Sequence, residues 1–394
     1  MKILVVCQHY NPEPFRLADI CEALVERGHD VSVVTGVPNY PEGEIYPGYE
    51  KAAGKDTVEK GVKVHRCFTV PRKNNILFRI LNYYSFAISS TCYLKRVKEE
   101  YDVVFANQLS PVMMACGAIR YAKKWGKKVV LYCLDLWPAS LTAGGIRPDS
   151  AIYRFFKGIS RRIYQQADRI LITSKGFDSY LNGELKVEKE CEYLPQYAEE
   201  LFDDIPSWQA HQPPYHFVFA GNVGELQAID TIIEAARILK EDKRCIFDIF
   251  GDGSAFDHCR MMAKDLPNVI FHGRKDLSEM PEVYTMADGM IVSLRNNPII
   301  AATLPGKVQS YMAAGRAVIG SIGGETAHVI NAAECGISAA PENAEELARK
   351  IGELLDQPEV LCTYGQNARA YYDKHFRKEI FMQRLISELE KHSL

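Results

Sequence analysis

Short apolar runs alternate with longer amphipathic segments from one end of the chain to the other. A short apolar run bounded by turn residues is typical of a buried strand, and a longer segment with helical periodicity is typical of a helix. Their alternation predicts parallel sheets built from strand–helix–strand units. The predicted strands are residues 3–7, 31–35, 62–67, 103–106, 129–133, 170–173, 217–220, 246–250, 269–271, 290–294, 317–319 and 336–339.

The alternation pauses at residues 193–215, a proline-rich stretch that we interpret as a linker. It separates a first domain, residues 1–195, from a second, residues 196–394, which ends in a helical segment at 378–391. A chain of 394 residues also exceeds what one hydrophobic core usually organises. The predicted fold class is α/β, with two Rossmann-like, doubly wound parallel-sheet domains facing each other across a cleft, where such folds bind ligands.

Composition narrows the function class. The 47 basic and 50 acidic residues give a formal net charge of -3, so we expect no nucleic-acid partner. The 11 cysteines form no C-x-x-C pair, which favours reduced thiols over a disulfide framework or a zinc site. The apolar run after Met1 is too short for a signal peptide, and no run is long enough to span a bilayer. We expect a cytoplasmic protein.

Two glycine turns in the second domain are candidate phosphate sites. Gly221, Asn222, Val223 and Gly224 lie between a predicted strand and a predicted helix, where backbone N–H groups can approach a phosphate. A tight turn that needs glycine for its conformation alone would look the same. Gly251 follows the next strand in a G-x-G turn, which is weak evidence because the third glycine of a dinucleotide fingerprint is missing.

A lysine at a predicted helix start is the third candidate. Thr303 and Leu304 precede a Pro-Gly pair, and Lys307 then leads into a helix at residues 308–314. The helix dipole disfavours a cation in the first turn, so this position makes sense if an anion also binds there. The alternative is a lysine that points into water.

The first domain has acidic and aromatic candidates at the same edge of its sheet. Asp135 follows the strand at 129–133, at the edge where such sheets bind ligands. It is suited to binding sugar hydroxyls or to acting as a base, and equally to capping a turn. The loop after the first strand adds His9, Glu13 and Arg16, although a lone histidine is more often structural than catalytic.

Together these segments resemble family 4 of the retaining GT-B glycosyltransferases, particularly the branch that builds bacterial surface polysaccharides. The resemblance covers nearly the whole chain and depends on the order and spacing of short motifs. They are the Glu13-Pro14 pair after the first strand, RGHDVSVVTG at 27–36, PNYPEG at 38–43, DLWP at 135–138, FAGNVG at 219–224, FGDG at 250–253 and YMAAG at 311–315.

This resemblance implies transfer of a hexosyl or N-acetylhexosaminyl group from a nucleotide-sugar, with retention and without a metal. The nucleotide-sugar, which we expect to be UDP-linked, is a substrate held mainly by the second domain, and no cofactor is expected. The glycine turn and Lys307 would contact its phosphates, and Gly273 with Arg274 would lie near its base. Asp135 would face the reacting sugar, in the domain that holds the acceptor.

The chain departs from the family at several positions. Asn222 and Gln227 stand where many members carry an arginine and a lysine, and Lys307 is placed to compensate. Ser310 stands where a ribose-binding glutamate is expected, and residues 300–302 offer no partner glutamate. Serine donates a hydrogen bond but lacks a charged acceptor. Two alternatives therefore remain: a non-catalytic partner that binds sugar nucleotides, and a sugar-nucleotide epimerase of the same fold.

The segment at residues 72–98 suggests a membrane surface. Arg72, Lys73 and Arg79 precede an apolar, aromatic-rich stretch, Lys95 and Arg96 follow it, and no acidic residue interrupts it. Such a helix suits the interface of an anionic leaflet, here the inner face of the cell membrane. The resemblance adds a polyprenyl-diphosphate-linked saccharide as acceptor, in the synthesis of O-antigen, capsule or exopolysaccharide. An ordinary helix that packs on a sheet is the alternative.

Overall fold

The computed structural model describes residues 1–72 and 76–393. They form two compact units: unit 1 is Met1–Leu194 together with the segment that begins at Met382, and unit 2 is Pro195–Phe381. Each unit is built around its own parallel sheet, so the two α/β domains predicted from the sequence are confirmed.

Unit 1 alternates strands and helices along the chain. Its strands are Lys2–Val6 (β1), Asp30–Gly36 (β2), Asp56–Glu59 (β3), Val62–Cys67 (β4), Val103–Gln108 (β5), Val129–Cys133 (β6), Arg169–Ile172 (β7) and Cys191–Tyr193 (β8). Its helices are Leu17–Glu26 (α1), Ile76–Arg96 (α2), Cys116–Trp125 (α3), Ala151–Tyr164 (α4) and Gly176–Asp178 (α5), which continues as a π-helical segment, Ser179–Glu184. Two 3₁₀ segments are Val112–Ala115 and Ala139–Gly144.

The strands of unit 1 form a sheet in the order β3-β4-β2-β1-β5-β6-β7-β8, and only β3 is antiparallel to its neighbour in the described residues. Strand β1 lies between β2 and β5, with Ile3 opposite both Val31 and Val103. Ile3 and its neighbours to Val6 are buried, as expected for a parallel strand covered on both faces. The strand order reverses between β1 and β5, so ligands are expected where the loops after these strands meet.

Unit 2 repeats the alternation. Its strands are Tyr215–Ala220 (β9), Cys245–Phe250 (β10), Val269–Gly273 (β11), Gly289–Ser293 (β12), Ala317–Ser321 (β13) and Gly336–Ala339 (β14). Its helices are Ile229–Ile238 (α6), Phe256–Met262 (α7), Met280–Met286 (α8), Pro298–Ala301 (α9), Gly306–Ala313 (α10), Gly324–Ala332 (α11), Ala344–Asp356 (α12) and Val360–His375 (α13). Short 3₁₀ segments are Glu200–Phe202, Glu225–Gln227 and Leu277–Glu279.

The sheet of unit 2 has the order β11-β10-β9-β12-β13-β14 and parallel pairing between the described strands. Strand β9 lies in the middle and separates two hydrophobic cores. Phe217 and Phe219 belong to one core, while Val218 and Ala220 belong to the other. This alternation follows from the two-residue period of a strand. The strand order reverses between β9 and β12, which places the Gly221 turn at the switch point.

The segment interpreted as a linker is packed against unit 2. Ala198 and Phe202 lie in one core of that unit, and Trp208 lies in the other. The Trp208 indole donates a hydrogen bond to Asp288, which fixes the segment further. The sequence predicted a linker because this segment is rich in proline. Its few buried apolar residues do not follow the period of a helix or a strand, so their packing was not evident.

The final helix, Lys378–Lys391 (α14), has the predicted bounds, but its residues from Met382 onward belong to unit 1. The Arg169 side chain on β7 donates to Glu388 at 2.8 Å, and Leu385 is fully buried. The sequence predicted this helix as part of the second domain, because an amphipathic helix does not reveal which sheet it will cover. Strands β3 and β8 were not predicted, since one is exposed and polar and the other has only three residues.

Candidate functional site

Three glycine turns of unit 2 lie side by side at the carboxyl ends of adjacent strands. Gly221 follows β9, Gly251 follows β10, and Gly273 ends β11. Gly251 has φ +133°, and a Cβ atom there would lie 1.8 Å from the carbonyl oxygen of Gly221. Only glycine permits this approach of the two turns. The structure therefore brings together glycines that are 30 and 22 residues apart in the sequence.

The Gly221 turn directs alternate N–H groups into the protein and away from it. Gly221 donates to the Phe250 carbonyl at 3.0 Å, and Val223 donates to the Asp252 carbonyl at 2.9 Å. Within the part of the chain that the structure describes, the N–H groups of Asn222 and Gly224 have no protein acceptor. Two backbone donors are thus available to an anion beside an exposed turn.

Lys307 approaches this turn from the N-terminal end of α10. Its Nζ atom donates to Gln227 Oε1 at 3.0 Å and lies 4.1 Å from the ring centroid of Phe219. A Cβ atom on Gly221 would come within 2.9 Å of the same Nζ, so the ammonium occupies space that only a glycine leaves open. Lys307, Gln227 and Gly221 were predicted from the sequence to share one site, and here they lie together.

The charge state of the Lys307 ammonium depends on the groups that surround it. No carboxylate among the described residues lies within ion-pair distance of it. Burial disfavours the charged form and lowers the pKa of Lys307 to about 7. A phosphate placed against the turn would supply the missing negative charge and favour the protonated lysine.

Ser310 lies one turn further along α10 and contacts a carboxylate. Its hydroxyl donates to Glu199 Oε2 at 3.1 Å and is also 3.3 Å from the Gly306 carbonyl. Glu199 is 111 residues away in sequence and was not predicted. The family resemblance implies a glutamate at position 310. Here the carboxylate of Glu199 lies beside the serine that stands there. No local sequence signal could have identified this pair.

The remaining residues predicted to bind the nucleotide-sugar differ in whether their side chains are available to a ligand. Val223 and Leu304 are buried in the two cores of unit 2, so only their backbone atoms are available to a ligand. The Thr303 hydroxyl donates to the Ile300 carbonyl at 2.7 Å. Arg274 is exposed directly after Gly273, at the same sheet edge as the glycine turns.

Unit 1 contains a cavity of about 500 Å³ at the carboxyl ends of its central strands. Loops after β1, β5 and β6 line it, together with helices α2 and α4. Asp135 and His9 both line this cavity, whereas Glu13 and Arg16 are not among its lining residues. The structure thus brings together two of the four residues predicted for the first domain.

Asp135 is held by Ser110, which is in contact with a second serine. The Ser110 hydroxyl donates to its Oδ2 atom, and the Ser110 and Ser140 hydroxyls are 2.9 Å apart. The backbone carbonyl of Asp135 accepts from Gln108 Nε2 at 3.1 Å. Both serines also line the cavity, so this carboxylate has a fixed position and is partly accessible.

Glu13 organises the wall of the cavity without lining it. Its Oε1 atom accepts hydrogen bonds from the backbone N–H groups of Asn39 at 2.9 Å and Tyr40 at 2.8 Å, and its Oε2 from that of Tyr10 at 3.2 Å. His9 Nδ1 lies 2.9 Å from the same Oε1. Because a carboxylate only accepts, Nδ1 carries the hydrogen, and Nε2 of His9 is the ring nitrogen left for a ligand.

Among the described residues, no group of three or more His, Cys, Asp or Glu side chains could hold a metal ion. No helix within residues 1–72 and 76–393 is both long and apolar enough to cross a membrane.

Comparison with known proteins gives matches over both units. The family described as "Glycosyl transferase 4-like domain" matches residues 15–195, and "Glycosyl transferases group 1" matches residues 214–357. WbjE of Pseudomonas aeruginosa, described as a glycosyltransferase, is 26% identical over 341 residues, which are 81% of this chain and 82% of WbjE. WcaI of Escherichia coli K12, described as a glycosyl transferase of colanic acid biosynthesis, is 25% identical over 99% of this chain and 100% of WcaI.

Solved structures give the same fold. HepE of Anabaena, crystallised in complex with UDP-glucose, superposes with a TM-score of 0.67 over 99% of this chain and all of HepE, at 13% sequence identity. At this identity the likeness concerns the fold alone, which is the two-domain GT-B architecture.

Proposed function

Since the chain belongs to family 4 of the GT-B glycosyltransferases, we propose that it transfers a sugar from a nucleotide-sugar donor to a saccharide acceptor in the synthesis of a bacterial surface polysaccharide. The donor binds unit 2 at the glycine turns, and the acceptor binds unit 1 at the Asp135 cavity. The transferred group is a hexosyl or N-acetylhexosaminyl group.

The unpaired ammonium of Lys307 carries this proposal. A half-buried lysine whose ammonium packs against protein without a carboxylate beside it is unfavourable unless a ligand supplies negative charge. The free N–H groups of Asn222 and Gly224 lie on the turn that this ammonium contacts. A diphosphate in this position accepts hydrogen bonds from all three groups, and its charge is neutralised as it leaves the sugar.

We propose that the donor is UDP-linked and that transfer needs neither a metal nor another cofactor. The UDP-glucose bound by HepE supports the choice of nucleotide. Lys307 and the backbone donors supply the positive charge that a divalent cation would otherwise provide. Retention of the anomeric configuration is proposed from the family resemblance alone.

Asp135 is the catalytic residue of the proposal. Its carboxylate is held by Ser110 and lines the acceptor cavity, where it can accept a hydrogen bond from the attacking hydroxyl. A fixed, partly accessible carboxylate is suited to orienting this hydroxyl and to stabilising positive charge on the sugar.

We further propose a lipid-linked acceptor and work at an anionic membrane surface. Helix α2 has the large exposed apolar residues Ile80, Leu81, Tyr84 and Ile88. Basic residues flank this stretch; Lys73, one of them, lies outside the described residues. Exposed apolar and basic groups on one helix suit a charged bilayer interface, which would place the protein on the inner face of the cell membrane.

A transfer assay tests the proposal. Purified protein would be incubated with UDP-, GDP- and dTDP-sugars, with and without a polyprenyl-diphosphate-linked saccharide, and the product analysed by mass spectrometry. We expect the acceptor to gain one sugar, and Asp135→Asn to lower turnover by about 10²-fold or more with little change in donor affinity. Asp149→Asn, at an exposed carboxylate of unit 1, is the matched control.

Three results would contradict the proposal. Conversion of the nucleotide-sugar without an acceptor would indicate an epimerase. Donor binding without turnover on any acceptor would indicate a non-catalytic binding partner. Wild-type turnover in Asp135→Asn would remove this residue from the catalytic site.

A further inference from the structure

The Asp135 cavity combines two kinds of surface that a simple saccharide does not require. Most of its wall is aromatic or aliphatic, and Trp137 makes edge-to-face contacts with both Tyr83 and Phe156. Two arginines, Arg72 and Arg79, also line it. A ligand that fills such a cavity has an apolar part and an anionic part.

Arg72 and Arg79 provide the positive charge of the cavity. In the described chain, no carboxylate lies within ion-pair distance of either guanidinium. The Arg72 guanidinium lies 5.9 Å from the ring centroid of Tyr40 and 5.6 Å from that of Tyr83, and its backbone N–H donates to Asn39 at 2.8 Å. Cation–π interactions with these two rings help to position the charge, and arginine is well suited to binding phosphate groups.

A buried hydrogen-bond donor also lines the cavity. Trp137 is only 3% exposed and lines the cavity, and its indole Nε1–H has no acceptor among the described residues. Leaving a buried donor unpaired is costly, so a ligand oxygen at this position would be favourable. This observation is independent of the arginines and also indicates an oxygen-rich group within an otherwise apolar wall.

The rim of the cavity is apolar and exposed. Ile80 on α2 is 45% exposed and Ile152 on α4 is 57% exposed, and both line the cavity. Phe155, next to the lining residue Phe156, is 62% exposed. The apolar wall therefore continues from the interior onto the surface, which suits a ligand whose chain extends out of the cavity into a lipid phase.

We propose that this cavity binds the diphosphate and the first isoprenyl units of a polyprenyl-diphosphate acceptor. Arg72 and Arg79 bind the diphosphate, Trp137 donates a hydrogen bond to one of its oxygens, and the aromatic wall covers the adjacent isoprenyl units. A volume of about 500 Å³ is that of a typical ligand site, enough for this segment and not for a whole polyprenyl chain. This assignment deepens the proposed function and rests on it for the identity of the saccharide.

Direct binding of geranylgeranyl diphosphate to the full chain tests the cavity without any sugar transfer. Calorimetry below the micelle concentration of the probe should detect binding to the wild type. Geranylgeraniol and inorganic diphosphate should each bind at least about tenfold more weakly, because each lacks one of the two parts that the cavity recognises. Equal binding of inorganic diphosphate would indicate an anion site only and would overturn the proposal.

Variants connect the binding to the named residues. Arg72→Gln and Arg79→Gln should each weaken binding of the diphosphate probe about tenfold, whereas Arg120→Gln, at an exposed arginine of α3, should not change it. Trp137→Phe keeps a ring but removes the N–H, so it should weaken the diphosphate probe several-fold and leave geranylgeraniol unchanged. Circular dichroism establishes that each variant is folded.

The outcomes separate this assignment from the proposed function. If both arginine variants bind the probe like the wild type, or if the wild type does not bind it, the cavity assignment is wrong. If these variants also transfer sugar to a lipid-linked acceptor with a wild-type KM, the proposed function stands without the cavity. Arginine-dependent probe binding in a protein that transfers no sugar supports the cavity and contradicts the function.

Discussion

The hydroxyl of Ser310 donates a hydrogen bond of 3.1 Å to the carboxylate of Glu199, which lies in the segment that precedes the first strand of unit 2. The family resemblance predicts a glutamate at position 310, and the structure instead has a carboxylate beside a serine. The acidic group is present near α10 but comes from a different part of the chain.

This pair predicts a specific double-mutant result. Ser310 is 5% exposed, so Ser310→Glu places a second carboxylate in a confined space beside Glu199. We expect a loss of about 1–3 kcal/mol in stability, seen as a lower midpoint of thermal unfolding. Glu199→Gln in the same protein should restore part of the loss. An unchanged midpoint in Ser310→Glu, or no rescue by Glu199→Gln, would contradict this account.

The stability of a Lys307→Met variant should depend on pH. The unfolded lysine titrates near its ordinary pKa of 10.5 and the folded one near 7, so between these values the unfolded state binds more protons. The free-energy cost of burying the charged lysine in the folded protein is therefore largest below pH 7 and decreases as the pH rises. Lys307→Met should raise the unfolding midpoint of the ligand-free protein more at pH 6 than at pH 9. An equal effect at both pH values would show that the lysine is not destabilised by burial.

Glu13→Gln tests the role of Glu13 as a positioning residue. The amide presents N–H groups where the carboxylate accepts from Tyr10, Asn39 and Tyr40, so we expect a loss of about 1–3 kcal/mol in stability. Because the same carboxylate orients His9 at the cavity wall, the KM for the acceptor should rise while donor affinity stays unchanged. Glu26→Gln, at an exposed position of α1, is the control. A stability loss with an unchanged acceptor KM would limit Glu13 to a structural role.

Co-sedimentation with vesicles tests the membrane surface. The wild type should bind phosphatidylglycerol-rich vesicles at low salt and neutral phosphatidylcholine vesicles much less, since each basic residue near an anionic surface contributes about 1 kcal/mol. Neutralising Arg72, Lys73, Arg79, Lys95 and Arg96 together should abolish the difference. Replacing the exposed Ile88 by aspartate should weaken binding to both kinds of vesicle. No sedimentation of the wild type with anionic vesicles would refute this proposal.

The strands and their order in the chain were predictable because each buried strand of a parallel sheet is one short, continuous apolar segment of the sequence. Every predicted strand is present. Strand β3 is missing from the prediction because its residues, Asp56–Glu59, are exposed and polar, and β8 is missing because it has only three residues. The turns at Gly221 and Gly251 were also predictable, since their glycines follow apolar runs. Their mutual contact was not, because it depends on the pairing of β9 with β10.

Side-chain partners over long sequence distances could not be predicted. Ser110 follows one strand and Asp135 the next, and their contact requires the register of β5 with β6. The contact of Arg72 with the rings of Tyr40 and Tyr83 similarly joins a loop after β2 to helix α2. The segment 72–98 was recognised by its composition, but its contribution to a cavity lined by Asp135 was visible only in the structure.

The most direct test of the central claim is the affinity of the nucleoside diphosphate for the wild type and for Lys307→Met. Calorimetric titration with UDP at pH 6.5 should give a Kd at least about tenfold higher for Lys307→Met, which corresponds to one charge-assisted hydrogen bond. In the wild type the affinity should also fall as the pH is raised from 6.5 to 9, because the free lysine loses its proton near pH 7 and binding requires the charged form. If the two proteins bind UDP equally well, and with the same pH dependence, Lys307 does not hold the diphosphate and the proposed donor site is wrong.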